Sequence, residues 1–281
     1  MIDKNQVELS VVGKISDIGE QDWDACASNG YDGRQSEDPF VSYRFLKGLE
    51  DSKSVGAGTG WVPQYIIAKY DKKIIGVMPS FAKGHSQGEY IFDHNWAHAY
   101  ENAGGKYYPK LQVSVPFTPV TGRRFLTISG YHDIAQSALL EGLKIIVSQQ
   151  KWSSAHITFC SAEEFKLGKD LGLLQRIGQQ FHWENRNYKN FDEFLINLSS
   201  RKRKNIRKER RIAANFGGTF HQFTGDEIKL EHWEAFWNFY IDTGNRKWGT
   251  PYLTREFFDY AHKELRDDIV LFLCKKNENW V

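Results

Sequence analysis

The chain has little cysteine: Cys26, Cys160 and Cys274 are the only three in 281 residues. They lie far apart, each in or beside an apolar run, and no CxxC pair occurs. That excludes a zinc site built on cysteine and points to buried, reduced thiols. Long apolar runs are missing too, and none approaches the roughly 20 residues that span a bilayer. Residues 1–6 carry no apolar core of a secretory signal, so a cytoplasmic location is expected. A surplus of one charge is also absent. Thirty-seven Lys and Arg face 35 Asp and Glu, a net charge of +2. The chain as a whole is therefore no polyanion binder, DNA is not an expected partner, and any affinity for phosphate or RNA needs a local patch. The HExxH spacing of a metal site does not occur.

What the sequence does contain is globular: 41% hydrophobic and 26% charged residues, enough for one large or two ordinary domains. Aromatic residues reach 15%, with nine Trp and thirteen Tyr, so large rings must be buried or used in binding. Periodicity and punctuation predict strands at 7–12, 65–70, 74–81, 110–115, 156–160, 174–183, 219–223 and 269–274. Helices are expected within 16–26, from Pro39 onward, and at 97–102, 134–149, 162–171, 231–243 and 254–265. Asn190 is read as the cap of one long helix reaching about 215, with Asp192 and Glu193 in its first turn. Trp233, Phe236, Trp237 and Tyr240 form a helical stripe that reads as core. The expected fold class is mixed α/β.

Two stretches echo each other. Pro39, Phe40, Val41, Ser42, Phe45 and Leu46 match Pro251, Tyr252, Leu253, Thr254, Phe257 and Phe258 in type and spacing, and Trp23 and Trp233 lie on the preceding helices. A strand, a turn and a strand follow each stretch. The pattern reads as one unit used twice. The expected division is 1–185 and 186–281, the second unit stopping inside its hairpin, with strand 269–274 left without a partner on one edge.

Three clusters could carry chemistry. In the first, residues 84–96, strand alternation would put Glu89 and Asp93 on one face, with His85 arriving from a Gly-flanked loop as a group that titrates near neutrality. His94 and His98 could join them around a metal, but in no standard ligand spacing. Hydrogen-bonded structural groups are the plain alternative. The second cluster, residues 107–124, offers Tyr108, Lys110, Thr118 and Arg123 for a carboxylate or phosphate, or else an ordinary edge strand and Pro-rich turn. The third, residues 201–211, has eight basic residues and one acid. On a helix Lys204, Arg207, Lys208 and Arg211 share a face, and like charges packed this closely favour an anionic partner over bare solvent.

Three strings carry a family resemblance. They are His85, Ser86, Gly88, Glu89, Tyr90, Phe92 and Asp93; the run from Tyr107 and Tyr108 to Gly122; and Gln180, Phe181, His182 and Trp183 followed by the basic run from Arg201 to Arg210. Together they resemble the FemAB-like branch of the GNAT N-acyltransferases, the peptidoglycan biosynthesis or recognition type. The resemblance implies tandem GNAT-like domains, the second incomplete here. It implies transfer of an acyl or aminoacyl group to an amine of a small molecule or cell-wall precursor. It brings no bound cofactor; acyl-CoA or aminoacyl-tRNA would be the co-substrate, and tRNA a candidate partner. Within that chemistry Glu89, with His85 as alternative and Asp93 beside it, would take the amine's proton. Tyr90, Tyr108, Lys110, Thr118, Arg123 and the 201–211 cations would bind substrates. A polyanion-binding module without catalysis is the rival expectation.

Overall fold

A computed structural model describes residues 6–29, 38–91, 93–247 and 249–281. The chain begins with β1 (Val7–Val12), α1 (Glu20–Ala27) and α2 (Tyr43–Asp51). Next come β2 (Trp61–Pro63), β3 (Tyr65–Tyr70), β4 (Lys73–Met78) and β5 (Ser80–Lys83). Then follow α3 (His94–Asn102), β6 (Lys110–Val113), β7 (Leu126–Thr127), α4 (His132–Gln150), β8 (Ala155–Ile157) and α5 (Ala162–Asp170). Beyond them are α6 (Phe191–Ile196), α7 (Ser200–Ala214), β9 (Thr219–Thr224), α8 (Leu230–Arg246), α9 (Arg255–Tyr260), β10 (Val270–Lys276) and β11 (Asn279–Trp280). The architecture is mixed α/β, as the sequence predicts.

β2–β3 and β4–β5 make one bent hairpin shared by two sheets, β1-β3-β4-β7 and β2-β5-β6-β8. The bend falls at Pro79, which has no N–H to donate to a ladder, and Gln64 N bridges it by donating to Ser80 O at 2.8 Å. β6 and β8 run parallel; the other pairs in these sheets are antiparallel. β3 and β4 are apolar on both faces because both faces are covered. α4 lies on one side, where Gly76 lets Ala135 and Leu139 approach. Trp23 of α1 lies on the other, edge-on to Tyr65 at 5.2 Å, its indole N–H donating to Val41 O at 2.7 Å.

The internal echo is visible in space. β1-α1-α2-β3-β4, with β2 inserted before β3, and β9-α8-α9-β10-β11 follow the same order, with the first strand antiparallel to the fourth element and that strand antiparallel to the last. Ser42 caps α2 by accepting from Phe45 N. Thr254 holds the same place before α9, but its hydroxyl donates across to Ser52 O at 2.8 Å. The copies meet helix to helix. Phe45 and Phe257 pack edge to face at 6.0 Å, Tyr260 OH donates to Arg44 O, and the Tyr260 ring occupies the space a side chain at Gly48 would need.

Several expected elements differ. Residues 171–190 contain no helix or strand, so the strand expected at 174–183 is not formed; its alternating side chains find no partner strand among the described residues. The long helix from Asn190 is two: α6 ends at Ile196, and Ser199 starts α7 afresh by accepting from Lys202 N. β10 pairs with β9 over six residues on one edge, while on the other β11 reaches only Lys275 and Lys276; residues 270–273 thus have no partner strand on that edge among the described residues, as expected. Phe92, in the first family string, and Trp248 lie outside the described residues.

Candidate functional site

Alternation along β6 sends Lys110, Gln112 and Ser114 to one face and Leu111 and Val113 to the other. Register then collects their neighbours on the same face. Lys83 of β5 is opposite Lys110, Trp61 of β2 is opposite Lys83, and His156 of β8 stands beside Gln112. The result is a polar floor inside the protein, with both lysines fully buried.

Residues 84–91 and Asp93 lie over this floor. The segment is turns rather than the expected strand, because Gly88 (φ 77°) and Tyr90 (φ 56°) adopt left-handed backbone. A side chain at position 88 would also strike the Phe117 ring. The two carboxylates therefore meet on Lys110 rather than along a strand face. Lys110 Nζ donates to Glu89 Oε2 at 2.8 Å, Asp93 Oδ2 at 2.6 Å and Ser86 Oγ at 3.1 Å. Tyr107 OH donates to Asp93 Oδ2 at 2.7 Å, and the Tyr108 and Ser86 hydroxyls share a bond of 2.7 Å. Lys83 Nζ lies 4.0 Å from Glu89 Oε1, donates to Gln87 O, and sits 3.5 Å from the centre of the Trp61 ring. Two cations and two anions thus balance in a space closed to solvent, the condition under which buried charge is tolerated.

The environment splits their acidities. Burial raises the Asp93 carboxyl, but the bonds from Lys110, Ser86 and Tyr107 outweigh it and hold the group at about 2. Burial dominates at Glu89 and raises its carboxyl despite Lys110. Burial likewise pulls Lys83 down to about 7 and His156 to about 4. Glu89 Oε1, Asp93 Oδ1, Gln112 Oε1 and Ser114 Oγ are buried and make no hydrogen bond within the described protein. Glu89 therefore keeps one oxygen on Lys110 and one in reserve as an acceptor.

The surface above Glu89 is aromatic. Tyr90 is 46% exposed and packs at 6.4 Å against Tyr252, which stacks on Phe117 at 5.1 Å; Phe117 in turn meets Trp61. This wall joins the 84–91 turns, the 114–125 loop and the segment that leads into α9. The loop is fixed from beneath by Glu164, whose carboxylate caps α5 in a capping box and accepts from Arg124 N and Phe125 N.

The predicted site residues fall into three groups. Glu89, Asp93, Tyr108 and Lys110 converge, with Tyr90 at the surface above them. His85 is a neighbour rather than a member: its Nδ1 accepts from Gln87 N, and burial and Lys83 lower its basicity. Thr118 Oγ1 donates to Pro116 O, and Arg123 donates to the carbonyls of Ala27, the last residue of α1, and Asn29 just beyond it. Lys204, Arg207, Lys208 and Arg211 lie on α7, with no hydrogen bond, ion pair or ring contact to the cluster among the described residues. His94 and His98 are exposed on α3, and no three His, Cys, Asp or Glu of the described residues converge as a metal group. The residues the sequence did not single out are Lys83, Gln112, His156 and Tyr252. A lysine two places after buried Phe81 in one strand was the available signal for Lys83; for the others, only long-range register or the repeat could have pointed to them.

A search of curated proteins found no match. Among solved structures, FemX is 18% identical, with 96% of this chain aligned to 58% of that one at a TM-score of 0.46. The ribosomal-protein-alanine N-acetyltransferase from Brucella melitensis biovar Abortus 2308 is 11% identical, covering 63% of this chain and 98% of that one at 0.38. An aminoglycoside N-acetyltransferase, AAC(6')-Iy in complex with CoA, is 10% identical, covering 64% and 95% at 0.37. The family model described as peptidoglycan biosynthesis/recognition, by contrast, matches residues 14–281; the chain belongs to the FemAB-like family, a transferase family.

Proposed function

We propose that the chain is an N-acyltransferase that moves an acyl or aminoacyl group onto an amine, with a cell-wall precursor as the acceptor class. The observation that carries this reading is the Glu89 carboxylate, one oxygen held by Lys110 at 2.8 Å and the other buried without a hydrogen bond. Attack by an amine nitrogen on an acyl carbonyl forms a C–N bond, breaks the donor's ester or thioester, and leaves a proton that a positioned base must accept. Glu89 has an oxygen that makes no hydrogen bond, with Lys83 4.0 Å away, and a carboxyl raised by burial, the direction that brings a carboxylate toward that task. Asp93, held ionised, accepts from Lys110 and keeps it in place. Tyr90, Tyr108, Phe117 and Tyr252 would receive the acceptor, with Thr118 and Arg123 shaping the adjoining loop. On this reading residues 1–185 and 186–281 are two GNAT-like units whose junction is the entrance to the site.

The donor is either acyl-CoA or an aminoacyl-tRNA. The test is to incubate the chain with each donor and a peptidoglycan precursor bearing a free amine, and to follow the acceptor by mass spectrometry. A mass increase of one acyl or aminoacyl group is expected with one donor and not the other. No product from either donor contradicts the reading. A polyanion-binding role has its own support in the exposed cations of α7, Lys204, Arg207, Lys208 and Arg211 among them.

A further inference from the structure

We propose that α7 and the aromatic cluster packed beside it form a docking surface for an anionic lipid bilayer. α7 is a 15-residue helix with no buried residue. Within 201–211 it carries eight cations and one acid. Three of the cations have contacts: Arg203 with Ile196 O, Arg207 with Asp192 at 3.5 Å, and Arg210 over the Phe191 ring at 3.9 Å. The side chains of Arg201, Lys202, Lys204, Lys208 and Arg211 make no hydrogen bond or ion pair among the described residues. Like charges three and four positions apart repel along a helix, so α7 presents an uncompensated positive face.

Apolar side chains are exposed beside it. Trp183 contacts Phe194 at 6.2 Å, and Phe194 contacts Phe191 at 5.5 Å, the ring that Arg210 covers. Trp183 and Ile196 are nonetheless 64% and 65% exposed, and Ile212 of α7 itself is open to solvent. A soluble face rarely leaves so many large apolar groups in water. RNA would neutralise the cations and could stack on the rings, but it would leave Ile196 and Ile212 wet. A bilayer surface takes both: anionic headgroups meet the lysines and arginines, and Trp, Phe and Ile enter the interfacial zone. No helix among the described residues is long and apolar enough to cross a membrane, so the geometry is that of a chain lying on the surface.

The inference does not depend on whether the chain transfers an acyl group, and its test reads partition alone. The protein is sedimented with phosphatidylcholine vesicles, and with vesicles containing about 30% phosphatidylglycerol, whose charge draws juxtaposed cations. Binding is expected to the anionic vesicles only, weakening as salt rises. K204Q/K208Q/R211Q should lower partition roughly 100-fold, from about fivefold per cation. W183A and I196S should each lower it several-fold with melting temperatures unchanged, which separates lost docking from lost folding. Equal binding to neutral vesicles, or indifference to all three variants, overturns the proposal. So does displacement by bulk tRNA with W183A and I196S still binding, which would make the face a nucleic-acid surface.

Discussion

Two regions of the molecule concentrate charge, and they treat it in opposite ways. Around Lys110, two lysines and two carboxylates are closed off from solvent and paired within 2.6 to 4.0 Å. On α7, eight cations stand against one acid on a helix that buries nothing. Buried charge must be compensated inside the protein, because an unpaired ion in low dielectric costs several kcal/mol. Exposed charge carries no such requirement and can be left for something outside. The first region is therefore sensitive to the loss of a single partner, and the second should tolerate the loss of several.

The largest expected effect is K110M. It leaves Glu89 and Asp93 buried without their shared cation and should lower the unfolding free energy by about 3–5 kcal/mol, measured by urea denaturation. A loss under about 1 kcal/mol would mean the cluster is not closed as described. Next is the acid limb of stability. Asp93 is held at about 2 against a usual 3.8. Its contribution is therefore complete above pH 4 and is lost as pH falls through the folded-state value. The shift corresponds to about 2 kcal/mol. Unfolding measured between pH 2 and 5 should show that slope in the native chain and not in D93N; parallel curves would remove the assignment. The smallest effect belongs to the other region. K204Q/K208Q/R211Q should leave unfolding unchanged or raise stability by a few tenths of a kcal/mol, as like-charge neighbours are removed. A loss above about 1 kcal/mol would show that those cations are partnered inside the fold, and the contrast between the regions would fail.

How far the sequence announced these regions follows from what each depends on. The repeat was legible because its signals are local: the Pro39 and Pro251 punctuation, the Ser42 and Thr254 positions and the apolar spacing behind them all lie within a few residues. The basic helix was legible for the same reason, although its start at Ser199 was hidden inside an otherwise helical pattern. The charge cluster was half legible. Glu89 and Asp93 stood out within a dense polar cluster and Lys110 within a second one rich in rings, but strand alternation was the wrong device for joining the two carboxylates, since Gly88 and Tyr90 turn the chain. Lys83 and His156 enter through pairing of β5 with β6 and β6 with β8, a long-range register that no short window contains. The strand expected at 174–183 failed for a related reason. Alternation at Ile177, Phe181 and Trp183 describes a side-chain pattern, while a strand also needs a neighbour.

The central claim is that Glu89 accepts the proton of the attacking amine. It is tested most directly by the turnover of E89Q, which keeps an oxygen for Lys110 but no longer offers a carboxylate. The expected result is a fall in kcat of about 100-fold or more, with the melting temperature within a few degrees of the native chain. Native turnover in E89Q would contradict the account.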